Sequence, residues 1–258
     1  MSPRPWADTP FPLIPTPRPT STDKSGKQHF SVRMAQEMVY IHNAVLRCLN
    51  AIYNQAPYVS TPTDIRDLLQ LIAHWLYELH HHHTTEEDMF FPRVEEITGN
   101  TGVMSGNVEQ HEAFEPGLAA LEAYVKTTTP ETYDGSKLQA IIDSFGEILQ
   151  THLSDEITTL LSLAPYPNDE LQKAWTDTSA WVLRTCDRTV QTPILMGCSD
   201  RTYEGGLGPA LPFPVFLPPL VHFWYERRWA KAWRFLPCTT YGEPRPLAFG
   251  PPEQKMVK

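Results

Sequence analysis

Apolar residues recur every three or four positions between residues 29 and 163, and this spacing predicts a series of long amphipathic helices. The first helix carries an apolar face from Val32 to Tyr53. Three more are predicted over about Asp64–Ile97, Gly106–Lys126 and Ser136–Leu163. Four long helices joined by short connections indicate an all-α fold, an antiparallel up-down four-helix bundle.

The two ends of the chain have a different character. Residues 1–28 are rich in proline, which predicts an extended arm rather than a helix. Residues 164–258 contain two predicted helices, about Glu170–Arg184 and Leu220–Phe235, within irregular, proline-containing sequence. We therefore divide the chain into an arm (1–28), a bundle (29–163) and a C-terminal elaboration (164–258) packed on the bundle.

Charge and composition exclude several classes of protein. The formal net charge is −9 and no basic stripe is present, which argues against a nucleic-acid partner. No apolar run is long enough for a transmembrane helix, and the start of the chain lacks a signal-peptide pattern. The four cysteines form no CxxC pair, so we expect a cytoplasmic protein with reduced thiols. The sequence leaves the oligomeric state open.

The predicted apolar faces carry ionisable residues that suggest a metal site. These are His42 on the first helix, His82 and Glu86 on the second, His111 and Glu115 on the third, and His152 and Glu156 on the fourth. Residues four apart share a helix face, so each His-x-x-x-Glu pair converges on one point. Burying so many ionisable groups without a cation is costly. Imidazole and carboxylate ligands in this number suit two first-row metal ions.

The stretch LHHHHTTEEDMFF allows two registers on the second helix, His82 with Glu86 or His83 with Glu87. We favour the first, because two large apolar residues follow Glu86 in the same way that Leu160 and Leu161 follow Glu156. In that register His83, like the first two histidines of the run, points sideways or outward. The second register stays open.

Taken together, a lone histidine followed by HHTTEEDMFFP, HEAFEPGL and HLSDE resembles the hemerythrin-like, HHE cation-binding family. The terminal segments PWADTPFPLIPTP, DRTYEGG and WRFLPCTTYGEPRPLAF are similar to its longer fungal members. The resemblance implies a four-helix bundle with a non-heme di-iron centre that reacts with O2. By that likeness the seven residues named above are the ligands, with Glu86 and Glu156 as bridging carboxylates.

One departure from the family concerns the third helix. Oxygen-carrying members have His-x-x-x-His there, whereas this chain has Glu115 at the second position, or an open coordination position if Glu115 faces away. Four histidines and three carboxylates favour O2 activation over O2 carriage. We therefore expect an oxygenase or oxidase of an apolar or aromatic small molecule, and the family resemblance favours the tailoring of secondary metabolites as its setting. The alternatives are a non-catalytic O2- or iron-binding protein and a purely structural metal.

Overall fold

The computed structural model describes residues 6–18, 28–206 and 214–251, which are helical for most of their length. The helices are α1 (Phe30–Gln55), α2 (Pro62–Thr85), α3 (Phe91–Thr98), α4 (Ser105–Thr127), α5 (Gly135–Asp143), α6 (Gly146–Ser162), α7 (Asn168–Thr185), α8 (Arg188–Gly197), α9 (Leu217–Leu220) and α10 (Ala230–Trp233). Helices α1, α2, α4 and α6 form the bundle, in which α1 and α4 each pack against both α2 and α6. The predicted all-α bundle is confirmed.

The second bundle helix starts where its sequence predicts but does not keep one pitch. Thr61 Oγ1 accepts a hydrogen bond from the Asp64 amide (3.2 Å), and Pro62 occupies the first turn, where no amide donor is needed. The predicted helix to Ile97 widens into a π-helical turn at Glu86–Phe90 and resumes as α3. Such turns are frequent at functional sites, and this one begins at Glu86, a residue of the predicted metal site.

The fourth predicted helix is divided into α5 and α6 by a break at Phe145. The break turns the Phe145 side chain fully into the core, against Gly117 of α4. A Cβ at Gly117 would lie 2.5 Å from the Phe145 Cβ, so only glycine permits this approach. Gly146 gives similar room to the ring of Phe11. The break therefore seats an aromatic residue between α4 and α6 and admits the N-terminal arm.

The described part of the arm packs on α1 through two asparagines. Asn50 Oδ1 accepts a hydrogen bond from the Phe11 amide (2.9 Å), and its Nδ2 donates to the carbonyls of Ala7 and Phe11. Asn43 makes the same kind of reciprocal pair with Ile14, at 2.8 and 2.9 Å. These bonds satisfy backbone groups that the proline-rich arm cannot satisfy by helix formation, and both apolar side chains become buried.

The C-terminal elaboration covers the bundle with several short elements. The predicted fifth helix is α7, whereas α8 was not predicted. The expected helix Leu220–Phe235 is a succession of α, π and 3₁₀ turns from Leu217 to Trp233, in a segment where Pro218 and Pro219 cannot donate amide hydrogen bonds. Gln55 Nε2 donates to the Phe235 carbonyl (2.9 Å), which ties this segment to α1. Among the described helices, none has the length and apolarity needed to cross a membrane.

Candidate metal centre

Two groups of side chains in the bundle core bring ligand-type atoms within 4.8 Å of one another. One group contains His42, His82, Glu86 and Glu156, and the other contains His83, Glu86, His111 and His152. Glu86 belongs to both. The residues come from all four bundle helices, so the centre exists only because the bundle closes around it.

The end of α2 supplies three of these side chains. The Glu86 amide donates to the carbonyls of both His82 and His83 at the start of the π-helical turn. His82 and Glu86 follow the four-residue spacing, and their Nε2 and Oε1 atoms are 3.1 Å apart. His83 lies about 100° further around the helix, which directs its ring to the other group. Consecutive histidines thus serve different halves of the centre.

The imidazole nitrogens face one another at short distances across both groups. His42 Nε2 lies 3.2 Å from His82 Nε2 and 3.3 Å from Glu156 Oε2. In the other group His111 Nε2 lies 3.0 Å from His152 Nε2 and 3.7 Å from Glu86 Oε2. Each half of the centre therefore concentrates nitrogen and oxygen atoms on a small volume.

Hydrogen bonds on the outer nitrogens fix the orientation of three rings. His42 Nδ1 donates to the Leu153 carbonyl (2.8 Å), and His111 Nδ1 donates to Glu87 Oε1 (2.5 Å). His152 Nδ1 donates to Gln110 Oε1 (3.2 Å), and the amide of Gln110 is itself set by donation from its Nε2 to Asp155 (2.8 Å). In a neutral imidazole the proton then sits on Nδ1, and the Nε2 lone pair points into the centre.

Among the described residues, hydrogen-bond acceptors therefore face one another in the centre, with no donor between them. Both carboxylate oxygens of Glu86 and of Glu156 are buried without a hydrogen-bond donor from any described residue, and so is His83 Nε2. Burial together with the Glu156 carboxylate raises the pKa of Glu86 well above its usual range. Burial and neighbouring histidines lower the pKa of His82 to about 3 and that of His152 to about 2. Cations in the two groups would satisfy these orphaned atoms, so the residues present fit a metal site.

Glu115 is the predicted site residue that the structure does not bring to the centre. It is exposed on α4 and belongs to neither group. The buried stripe of α4 passes from His111 to Phe114 and Leu118, a course that leaves the residue four after His111 to one side. On α6, by contrast, His152 and Glu156 are both buried in the stripe. The expectation that Glu115 lies on the inner face is therefore corrected.

His83 is the candidate ligand that the preferred register missed. It was expected to point sideways or outward, but it is buried within the second group. The remaining histidines of the run point elsewhere, and His81 stacks on Trp181 of α7 with ring centroids 5.7 Å apart. The alternative register, which pairs His83 with Glu87, is the feature of the sequence that pointed to an inward-facing His83. The structure places Glu87 behind the ring of His111 rather than inside either group.

Comparison with known proteins agrees with this geometry. Residues 33–164 match the model of the hemerythrin HHE cation-binding domain. The chain is also 37% identical, over 253 residues, to the dimeric xanthone biosynthesis cluster protein R11 of Cryptosporiopsis sp. (strain 8999). That alignment covers 98% of this chain and 96% of the relative. No solved structure matches the chain. The chain belongs to the hemerythrin HHE cation-binding family.

Proposed function

We propose that this protein holds two iron ions in its bundle core and uses them with O2 to oxidise an apolar or aromatic small molecule. The observation that carries the proposal is the pair of ligand groups that share Glu86. Five histidines and two carboxylates with their donor atoms turned inward are a set that suits iron or a similar first-row metal.

Each group would hold one ion. His42, His82 and Glu156 would bind the first, and His83, His111 and His152 the second, with Glu86 between them. Among the described residues Glu86 is common to both groups, whereas Glu156 belongs to the first alone. Bound iron would supply the one-electron redox steps that O2 chemistry requires and that amino-acid side chains lack.

The surrounding residues would keep the site dry and ordered. Phe114 lies 5.2 Å from the His83 ring and 5.5 Å from the His152 ring, measured between centroids. Phe91 stacks against His111 at 6.0 Å. Among the seven ligand-type residues His82 is the least buried, with a side chain that is 11% exposed. Excluding water from the rest strengthens the electrostatic interactions inside and limits side reactions.

The hypothesis of an oxidase was first supported by the number of carboxylates among the predicted ligands. It is now supported by the relative instead. The relative's name assigns it to a dimeric xanthone biosynthesis cluster, and the alignment covers 98% of this chain, so it includes the C-terminal elaboration. The extra carboxylate expected at Glu115 is absent from both groups, so the number of carboxylates no longer favours O2 activation over O2 carriage. We therefore infer an aromatic substrate from the relative.

A second function follows from the same ligand count. Five histidines and two carboxylates are the composition expected of the oxygen-carrying members, so reversible O2 binding without substrate turnover is the alternative. The two functions differ in the fate of O2. An oxidase consumes it in proportion to oxidised substrate, whereas a carrier releases it unchanged.

The first experiment is to load the protein anaerobically with Fe(II), desalt it and count iron per chain. The loaded protein is then mixed with O2, a mild reductant and a panel of phenolic and xanthone-type compounds. Repeated O2 consumption with a matching oxidised product supports the oxidase. Recovery of the original spectrum on removing O2, with no product, supports the carrier. Iron content of one or less per chain would refute the two-ion proposal. Glu115→Gln is the matched control, since its side chain lies outside the centre.

A further inference from the structure

A second site lies on the other side of α1 from the metal centre. It is a cavity of about 650 Å³ between the N-terminal arm, α1, the segment after α8 and the C-terminal loops. Its α1 lining includes Tyr40, Asn43 and Arg47, which lie roughly 100–160° around the helix from His42. None of the seven residues of the centre lines it. The volume is in the usual range for small-molecule sites.

One wall of the cavity carries an arginine that has no anionic partner among the residues that the structure describes. Arg201 is exposed at the cavity, and no carboxylate of the described residues lies within ion-pair distance of its guanidinium. The adjacent Asp200 also lines the cavity, but it forms no ion pair with Arg201; its Oδ1 accepts from the amide and the hydroxyl of Thr202, both at 2.7 Å. Arg201 is thus available to a ligand that enters the cavity.

A second arginine lies in the cavity floor. The side chain of Arg47 is 3% exposed, and its Nε donates to Asp8 (2.7 Å) while Nη1 donates to the Cys198 carbonyl (2.9 Å). Its buried Nη2 has no acceptor among the described residues. The Tyr203 ring, which also lines the cavity, lies 5.3 Å from the Arg47 guanidinium. Asp8 offsets the charge of Arg47 and Asp200 also lines the cavity, so the cation offered to a ligand is the guanidinium of Arg201.

The rest of the lining is apolar. Val39 and Met196 are buried contributors, Pro218 adds a rigid apolar wall, and Val215 at the rim is 93% exposed. A ligand complementary to this lining has an apolar body and an anionic group that reaches Arg201. Guanidinium pairs well with carboxylate because two parallel hydrogen bonds form.

We propose that this cavity binds a small aromatic carboxylic acid, with the carboxylate on Arg201 and the ring system against Val39, Met196 and Pro218. The site is separate from the centre, so binding requires no metal and does not rest on the proposed function.

The probe is 2-naphthoate, with 2-naphthamide as an uncharged compound of the same shape, titrated calorimetrically into metal-free and metal-loaded protein. Naphthoate should bind more tightly than naphthamide, and equally in the two forms of the protein. Arg201→Gln should weaken naphthoate binding roughly 10- to 100-fold and leave naphthamide unaffected, since it removes charge-assisted hydrogen bonds only. Arg66→Gln, an exposed arginine of α2 outside the cavity, is the matched control.

Because Arg201 is exposed, its replacement should leave the fold intact, which unfolding curves will verify. Three results would overturn the proposal. The first is that naphthoate fails to bind at millimolar concentration or binds no more tightly than naphthamide. The second is that the Arg201→Gln variant binds naphthoate as tightly as the unaltered protein does. The third is that metal loading displaces naphthoate, which would locate the probe at the metal centre instead.

Discussion

Glu87 offers the sharpest test of how the centre is held in place. Its Oε1 accepts the Nδ1 proton of His111 at 2.5 Å, and its side chain is 42% exposed. A carboxylate in this position orients the ring and makes Nε2 a stronger donor to a metal, and losing such a partner lowers metal affinity about 10- to 100-fold. That range equals about 1.4–2.8 kcal/mol of binding free energy. An ion pair this exposed adds at most about 1 kcal/mol to folding.

We therefore expect Glu87→Ala to lower metal affinity toward the upper end of that range, with little change in the unfolding midpoint of the metal-free protein. Glu87→Gln keeps an acceptor oxygen but loses the charge, so its loss should be smaller. Affinity is measured anaerobically by chelator competition, with Co(II) absorption as a second signal. Glu115→Gln should match the unaltered protein. The argument fails if Glu87→Ala binds metal within about twofold of the unaltered protein, or if Glu115→Gln loses affinity equally.

Three further predictions follow from other parts of the structure. His83→Ala should lose one of the two ions that we propose for the centre, as measured in an iron assay, and an unchanged iron content would exclude His83 as a ligand. Asn50→Ala removes three hydrogen bonds to the arm and should cost about 2 kcal/mol in denaturant unfolding, with faster proteolysis at the arm; unchanged stability would contradict this role. Burial raises the pKa of Glu78 from 4.5 to about 7, so ionising it increasingly destabilises the metal-free fold as pH rises through that interval. Glu78→Gln should therefore be more stable than the unaltered protein at pH 8, by up to roughly 3 kcal/mol, and equal to it near pH 4, whereas equal stability at both pH values would refute this.

The corrected position of Glu115 changes what can be inferred about O2. The sequence suggested a carboxylate-rich centre and hence O2 activation. With Glu115 on the surface and His83 inside, the groups in the core contain five histidines and two glutamates. That set is compatible with both proposed functions, so only the fate of O2 can distinguish them.

Six of the seven predicted site residues lie in the two groups of ligand-type atoms, and the sequence pointed to them for a physical reason. His42, His111 and His152 interrupt apolar stripes with a period set by the helix, and such interruptions are costly unless the polar groups have partners. His82, Glu86 and Glu156 follow from the four-residue spacing. The same rule failed for Glu115. On α4 the buried residues after His111 follow at steps of three and then four, so the position four after His111 lies beside the buried stripe and not within it.

The sequence by itself determined the helical bundle, its approximate boundaries and most of the inward-facing ionisable residues. Helical periodicity and capping are local properties, so they can be seen in a single chain. The tertiary structure alone decided that His82 and His83 both enter the centre, in separate groups. It also decided that Glu87 supports His111, that Phe145 divides the fourth helix and that the arm and the C-terminal loops enclose a cavity over α1. These features depend on contacts between residues far apart in the chain, which periodicity does not encode.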